Sequence, residues 1–135
     1  MNREAINPAS MFDSLQYSFS HAIKADGRET IYCAGQVAWD KECKLVGGSD
    51  IVTQARQALS NLKTVLAEAG ATPADVVRMR TYVVNNKPEY LEPIGKEISE
   101  FYGDVLPAAN TWIGVQSLAL PEILIEIEAT AEINN

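Results

Sequence analysis

The sequence predicts an α+β fold in which two helices cover one face of a mainly antiparallel sheet. Three observations lead there. Residues 51–69 carry apolar side chains at three- and four-residue steps, the stripe of an amphipathic helix. Runs rich in Val, Ile, Thr and Tyr flank it, and a second helical stretch ends at Gly103. The resulting order, β-β-α-β-α-β-β, fits a helix layer packed on a sheet.

Tyr17 to Ala25 and Glu29 to Ala34 read as the first two strands, separated by the turn signal Asp26-Gly27-Arg28. Val37-Ala38-Trp39 follows, then a polar loop with Lys41, Glu42, Lys44 and the pair Gly47-Gly48. Ser49 or Asp50 stands where a helix cap belongs. The helix behind it carries Ile51, Ala55, Ala58, Leu59, Leu62, Val65, Leu66 and Ala69 as its apolar stripe, and Gly70 marks its end. Thr72-Pro73-Ala74-Asp75 makes a turn, and Val76 to Val84 is a strand. Pro88 favours the start of the second helix. Pro93 removes an interior hydrogen bond, so the regular part is expected from near Leu91 to about Tyr102. Two closing strands, joined through Leu118-Ala119-Leu120-Pro121, occupy Pro107 to Thr130, the second from Ile123.

Ile31-Tyr32-Cys33-Ala34, Val76-Val77, Val83-Val84 and Ile123-Leu124-Ile125 are apolar at consecutive positions, whereas a sheet wet on one side alternates. The second sheet face is therefore expected to be covered too, by another subunit, since only two helices are available. At 135 residues the chain is expected to form one domain, 1–135. Its formal charge of −7 argues against a nucleic-acid partner, and Arg78 and Arg80 on one strand face are two charges, not a patch. No apolar run approaches the roughly 20 residues of a membrane helix, and no apolar segment of a secretory signal follows Met1. Two cysteines make no disulfide framework, so a cytoplasmic protein with reduced thiols is expected.

Little chemistry announces itself. His21 is the single histidine and Cys33 and Cys43 have no C-x-x-C partner, so no metal site is expected. Ser20 and His21 are neighbours on a predicted strand and point apart, which rules out a nucleophile–base pair. Gly47-Gly48 lacks the Lys-Ser/Thr ending of a phosphate loop. Trp39 and Trp112 suit core or interface packing, or a pocket wall. Glu126 and Glu128 share the strand face opposite Ile125 and Ile127, which on its own reads as a solvated face.

The stretch Pro107–Glu128, with P-A-x-x-x-(V/I)-x-V, then L-P, then (V/I)-E-I-E-A, resembles the closing segment of the Rid (RidA/YjgF) family. These are small trimeric proteins whose founding members hydrolyse reactive enamines and imines. The likeness continues in Tyr17–Ala22, Ala34-Gly35-Gln36, Gln54-Ala55 with Asn61-Leu62, and Leu66–Ala71. It implies a chorismate-mutase-like sandwich, a homotrimer with small-molecule sites in clefts between subunits, and no cofactor. Glu126 matches the glutamate that positions the attacking water, and Gly35 and Thr111 match pocket positions, with Trp112 beside them. Three positions depart from the family pattern: Phe19 stands for a tyrosine, Gly95 for an asparagine, and Asn110 for the arginine that grips the substrate. The run Asn-Thr-Trp-Ile-Gly-Val thus resembles the arginine-lacking branches of the family.

A guanidinium binds a carboxylate through two parallel charge-assisted hydrogen bonds, and an amide offers neither the geometry nor the charge. Losing such a partner costs about 2–5 kcal/mol, roughly 30- to several-thousand-fold in binding. A 2-imino acid is therefore a poor substrate for this chain. Three functions remain, in order: a hydrolytic deaminase with an altered substrate, a non-catalytic trimeric ligand-binding or interaction protein, and a ribonuclease or translation inhibitor.

Overall fold

The computed structural model describes residues 1–134. Helix α1 spans Ile51–Glu68, opened by the Asp50 side chain, which accepts from the Val52 N–H and from the Thr53 hydroxyl at 2.7 Å. Its buried side is Ile51, Gln54, Ala55, Ala58, Leu59, Leu62 and Leu66, while Val65 lies at the exposed margin of the stripe. Gly70, with φ +80°, lets the chain reverse there. Helix α2 spans Leu91–Tyr102 behind a 3₁₀ turn at Pro88–Tyr90. Pro93 falls in its first turn, where a backbone N–H has no intrahelical acceptor to lose. Gly103, at φ +63°, ends the helix.

Strands β3 (Glu29–Gln36), β4 (Val76–Val84), β5 (Ala109–Val115) and β6 (Ile125–Ile133) form a sheet in the order β3-β6-β4-β5. Among the described residues, the β4–β5 pair is the only parallel strand pair in this sheet. Met79, Thr81 and Val83 of β4 and Ile125, Ile127, Ala129 and Ala131 of β6 point to the helix side and are buried. With Leu62, Leu66, Ile94, Ile98 and Phe101 from the helices, most of these residues form one apolar cluster. This is the two-helix α+β arrangement that the element order predicts.

The N-terminal region differs from expectation. A strand β1 (Arg3–Ile6), not foreseen, pairs with β2, which is confined to Ala22–Ala25. Ser14–Tyr17 is a 3₁₀ turn capped by Asp13, and Ser18 adopts φ +66°, so an extended segment cannot run from Tyr17. Asp26-Gly27-Arg28 does turn the chain, but it links two separate sheets, and β2 and β3 do not pair. The Arg3 guanidinium ties β1 to the body by donating to the Val76 and Leu106 carbonyls, both at 2.8 Å. Ser20 and His21 lie outside regular strand: the Ser20 hydroxyl donates to the Pro107 carbonyl at 2.6 Å, and the His21 ring meets the Phe12 carbonyl at 2.9 Å.

The apolar character expected of the open sheet face also needs correction. Within the chain it is mixed, carrying Arg78, Arg80, Tyr82, Glu126, Glu128 and an 82% exposed Tyr32. Two of the four apolar runs have local causes: a register shift between Val76 and Arg78, and a late start of β6, since Ile123 donates to the Leu120 carbonyl in a turn. Alternation along β6 is clean from Ile125 onward.

Candidate functional site

Glu126 projects from β6 onto the open face, opposite Tyr82 of β4. Half-burial raises its carboxyl above the ordinary range, and the nearby Glu128 charge adds to the effect. Its neighbour is held differently. Glu128 accepts a hydrogen bond from the Tyr82 hydroxyl and lies 4.0 Å from the Arg80 guanidinium. Glu126 makes no hydrogen bond or ion pair among the described residues, so its oxygens are left to solvent or a ligand. The same bond to Glu128 raises the Tyr82 phenol.

Gly35 lies against Glu126. A Cβ at Gly35 would stand 2.6 Å from the Glu126 carboxyl carbon and overlap one of its oxygens, so the absence of a side chain there gives the carboxylate its position. Two clamps fix the segments that meet at this contact. The Asn61 amide donates to the Val37 and Trp39 carbonyls, each at 2.9 Å, just beyond Gly35. The buried Gln54 amide donates to the Gly48 and Glu122 carbonyls at 2.7 and 3.0 Å and accepts from the Leu124 N–H at 3.0 Å. Gln54 and Asn61 carry the first-helix part of the family resemblance, and their work here is structural.

The remaining site residues lie elsewhere. Phe19, Asn110, Thr111 and Trp112, with Tyr17 and Leu91, line a cleft of about 370 Å³ along the edge strand β5. Asn110 turns to the helix side, where its Oδ1 accepts from the buried Thr81 hydroxyl at 3.3 Å, leaving the Nδ2 amide free to donate. Thr111 points to the other sheet face, yet both touch the edge cleft. The Trp112 indole N–H donates to Asn86 Oδ1 at 2.8 Å. Gly95 sits inside α2 on an adjoining cleft of about 550 Å³, its carbonyl accepting from the Ser18 hydroxyl at 2.9 Å.

The two groups do not meet in one chain. Glu126 pairs with Tyr82, which pairs with Ile113, so Asn110 is two strands across and three residues along. Strand spacing and rise put those backbone positions roughly 14 Å apart, with the side chains on opposite faces. Sequence alone did not single out Tyr82; its place two residues beyond Arg80 on the Glu126 face was the available signal.

The sequence matches the family model described as Endoribonuclease L-PSP over residues 12–133. The chain belongs to this family, known as YjgF or Rid. A crystal structure of a Rid protein of unknown function from Yersinia pestis, YyfB, superimposes with a TM-score of 0.96 at 56% identity, over 98% of this chain and 100% of that one. A RutC family protein of Pyrococcus abyssi is 33% identical over 114 residues, 84% of each chain. A protein of Dermatophagoides farinae named 2-iminobutanoate/2-iminopropanoate deaminase is 28% identical over 82% of each chain. Among the described residues of this Rid chain, no three His, Cys, Asp or Glu side chains gather as a metal site, and no helix is long and apolar enough to cross a membrane.

Proposed function

We propose that this Rid chain is a hydrolase of neutral imines or enamines, working as a cytoplasmic homotrimer whose sites form between copies. The observation that carries the reading is the unpaired, half-buried Glu126 held against Gly35 while Glu128 is occupied by Tyr82 and Arg80. A carboxylate with a raised pKa and free oxygens is suited to accept a proton from water. The water oxygen adds to the C=N carbon as Glu126 takes its proton and returns it to the nitrogen, giving a neutral carbinolamine. Glu126 then takes the carbinolamine hydroxyl proton and passes it to the same nitrogen as the C–N bond breaks, so that ammonia leaves with the carbonyl product. An enamine enters the same route after protonation at carbon.

The roughly 14 Å between the Glu126 and Asn110 positions is too far for one small imine to touch both within a chain. Joining the open face of one copy to the β5 edge of another would bring the halves together. Asn110 in place of arginine points away from the 2-imino acids named for the D. farinae relative. The net charge of −7 and the acidic β6 face argue against an RNA backbone as substrate.

The test compares two imines made in situ, a neutral ketimine from an amine oxidase and 2-iminopropanoate from an amino-acid oxidase acting on alanine. The carbonyl product should appear faster than in buffer for the neutral ketimine and near the buffer rate for 2-iminopropanoate. Glu126→Gln should abolish the acceleration, and Glu128→Gln should reduce it far less. Equal rates with wild type and Glu126→Gln on both imines would reject catalysis in favour of a ligand-binding protein.

A further inference from the structure

The edge cleft is unusual for its charge. The chain has 11 Lys and Arg and 18 Asp and Glu, yet no charged side chain lines the cavity formed by Tyr17, Phe19, Leu91, Asn110, Thr111 and Trp112. Three of these six are aromatic, and Tyr17 and Leu91 remain 54% and 44% exposed. Large apolar side chains held open to solvent mark a surface built to be covered.

The aromatic wall is held by contacts of its own. The indole of Trp112 is tethered to Asn86. Phe12 packs edge-to-face on Tyr17 at 6.5 Å and on Phe19 at 6.2 Å between centroids, and Phe19 packs on His21 at 5.8 Å. The two polar members are neutral. Asn110 is oriented by Thr81 so that its amide N–H₂ is the group on offer, and Thr111 adds a hydroxyl. A carboxylate entering here would lose its water and gain only neutral donors, whereas a carbonyl or imine nitrogen needs one such donor.

We infer that this cleft recognises an uncharged ligand in which a flat aromatic group adjoins a hydrogen-bond acceptor, so that the imines hydrolysed are neutral and aryl-substituted. The inference takes its reaction from the proposed function but its selectivity from the cleft alone. The ring lies among Phe19, Trp112 and Leu91, and the acceptor faces the Asn110 amide.

Benzamide and benzoate share a shape and differ in charge, which makes them the probes. A ligand of roughly nine heavy atoms binds in the millimolar range. Titration is followed on the indole N–H resonance of Trp112, assigned with Trp112→Phe, with the Trp39 resonance as internal control. Benzamide should shift the Trp112 signal saturably, benzoate should bind at least about tenfold more weakly, and Asn110→Arg should reverse the order. Cyclohexanecarboxamide should bind more weakly than benzamide. Benzoate binding as tightly as benzamide, or no shift with benzamide at about 10 mM, overturns the inference; the latter is also the result expected if self-association seals the cleft. Charge selectivity without imine hydrolysis would reject the hydrolase reading alone, and hydrolysis without that selectivity would reject this inference alone.

Discussion

Gln54→Leu removes a buried clamp while keeping nearly the same volume. The Gln54 amide satisfies the Gly48 and Glu122 carbonyls and the Leu124 N–H, groups the substitution leaves without that partner. Each partly buried group deprived of its bond costs about 1 kcal/mol, and the added apolar burial returns about 1, leaving a net loss of about 2 kcal/mol. For a chain of this size that is a fall in Tm of about 7 °C. Thermal unfolding by circular dichroism at neutral pH measures it. The segment 122–124 leads directly into β6, so imine hydrolysis should fall as well, by loosening the approach to Glu126. A Tm within about 2 °C of wild type would refute the reasoning, because it would mean that these three bonds give no net stability in solution.

Two further outcomes are expected. Light scattering should give three times the 14.7 kDa chain mass, and a stable monomer at micromolar concentration would remove the basis for a site between copies. Because the fold raises the Glu126 carboxyl above its ordinary value, the fold favours the protonated form, and stability falls as pH rises from the unfolded-state value through the folded one. Glu126→Gln should therefore raise Tm at pH 7 and make no difference below about pH 4, with thermal melts at both values as the check.

Much of the fold was legible because its signals are local. The α1 stripe, the Asp50 cap and Gly70 mark a helix without reference to the rest of the chain, and β4 falls on Val76–Val84 as read. The N-terminus was not legible because β1 is four residues held by pairing with β2 and by the Arg3 guanidinium, contacts some 20 to 100 residues away in sequence. Two of the apolar runs misled for a related reason: a bulge and a late strand start are enough to break alternation. At the candidate site, residue types could be read but not their grouping. Whether Glu126 faces Asn110 depends on the β3-β6-β4-β5 strand order, which no spacing along the chain encodes.

That grouping bears on how a Rid chain can change substrate. Glu126, Gly35 and the Asn61 clamp form one constellation, and Phe19, Asn110 and Trp112 another, with β4 between them. Substitutions more than about 7–10 Å apart with no shared partner act almost independently on stability. A change of charge at position 110 therefore alters the edge cleft and leaves the support of Glu126 untouched. The one local consequence is the Thr81 hydroxyl, which is buried and has Asn110 as its acceptor. Asn110→Arg must leave that hydroxyl without its present partner, so this substitution carries a stability cost of about 1 kcal/mol. In the proposed reading, water activation is retained in one copy and ligand choice is reset in its neighbour, since neither half depends on the other until the copies meet.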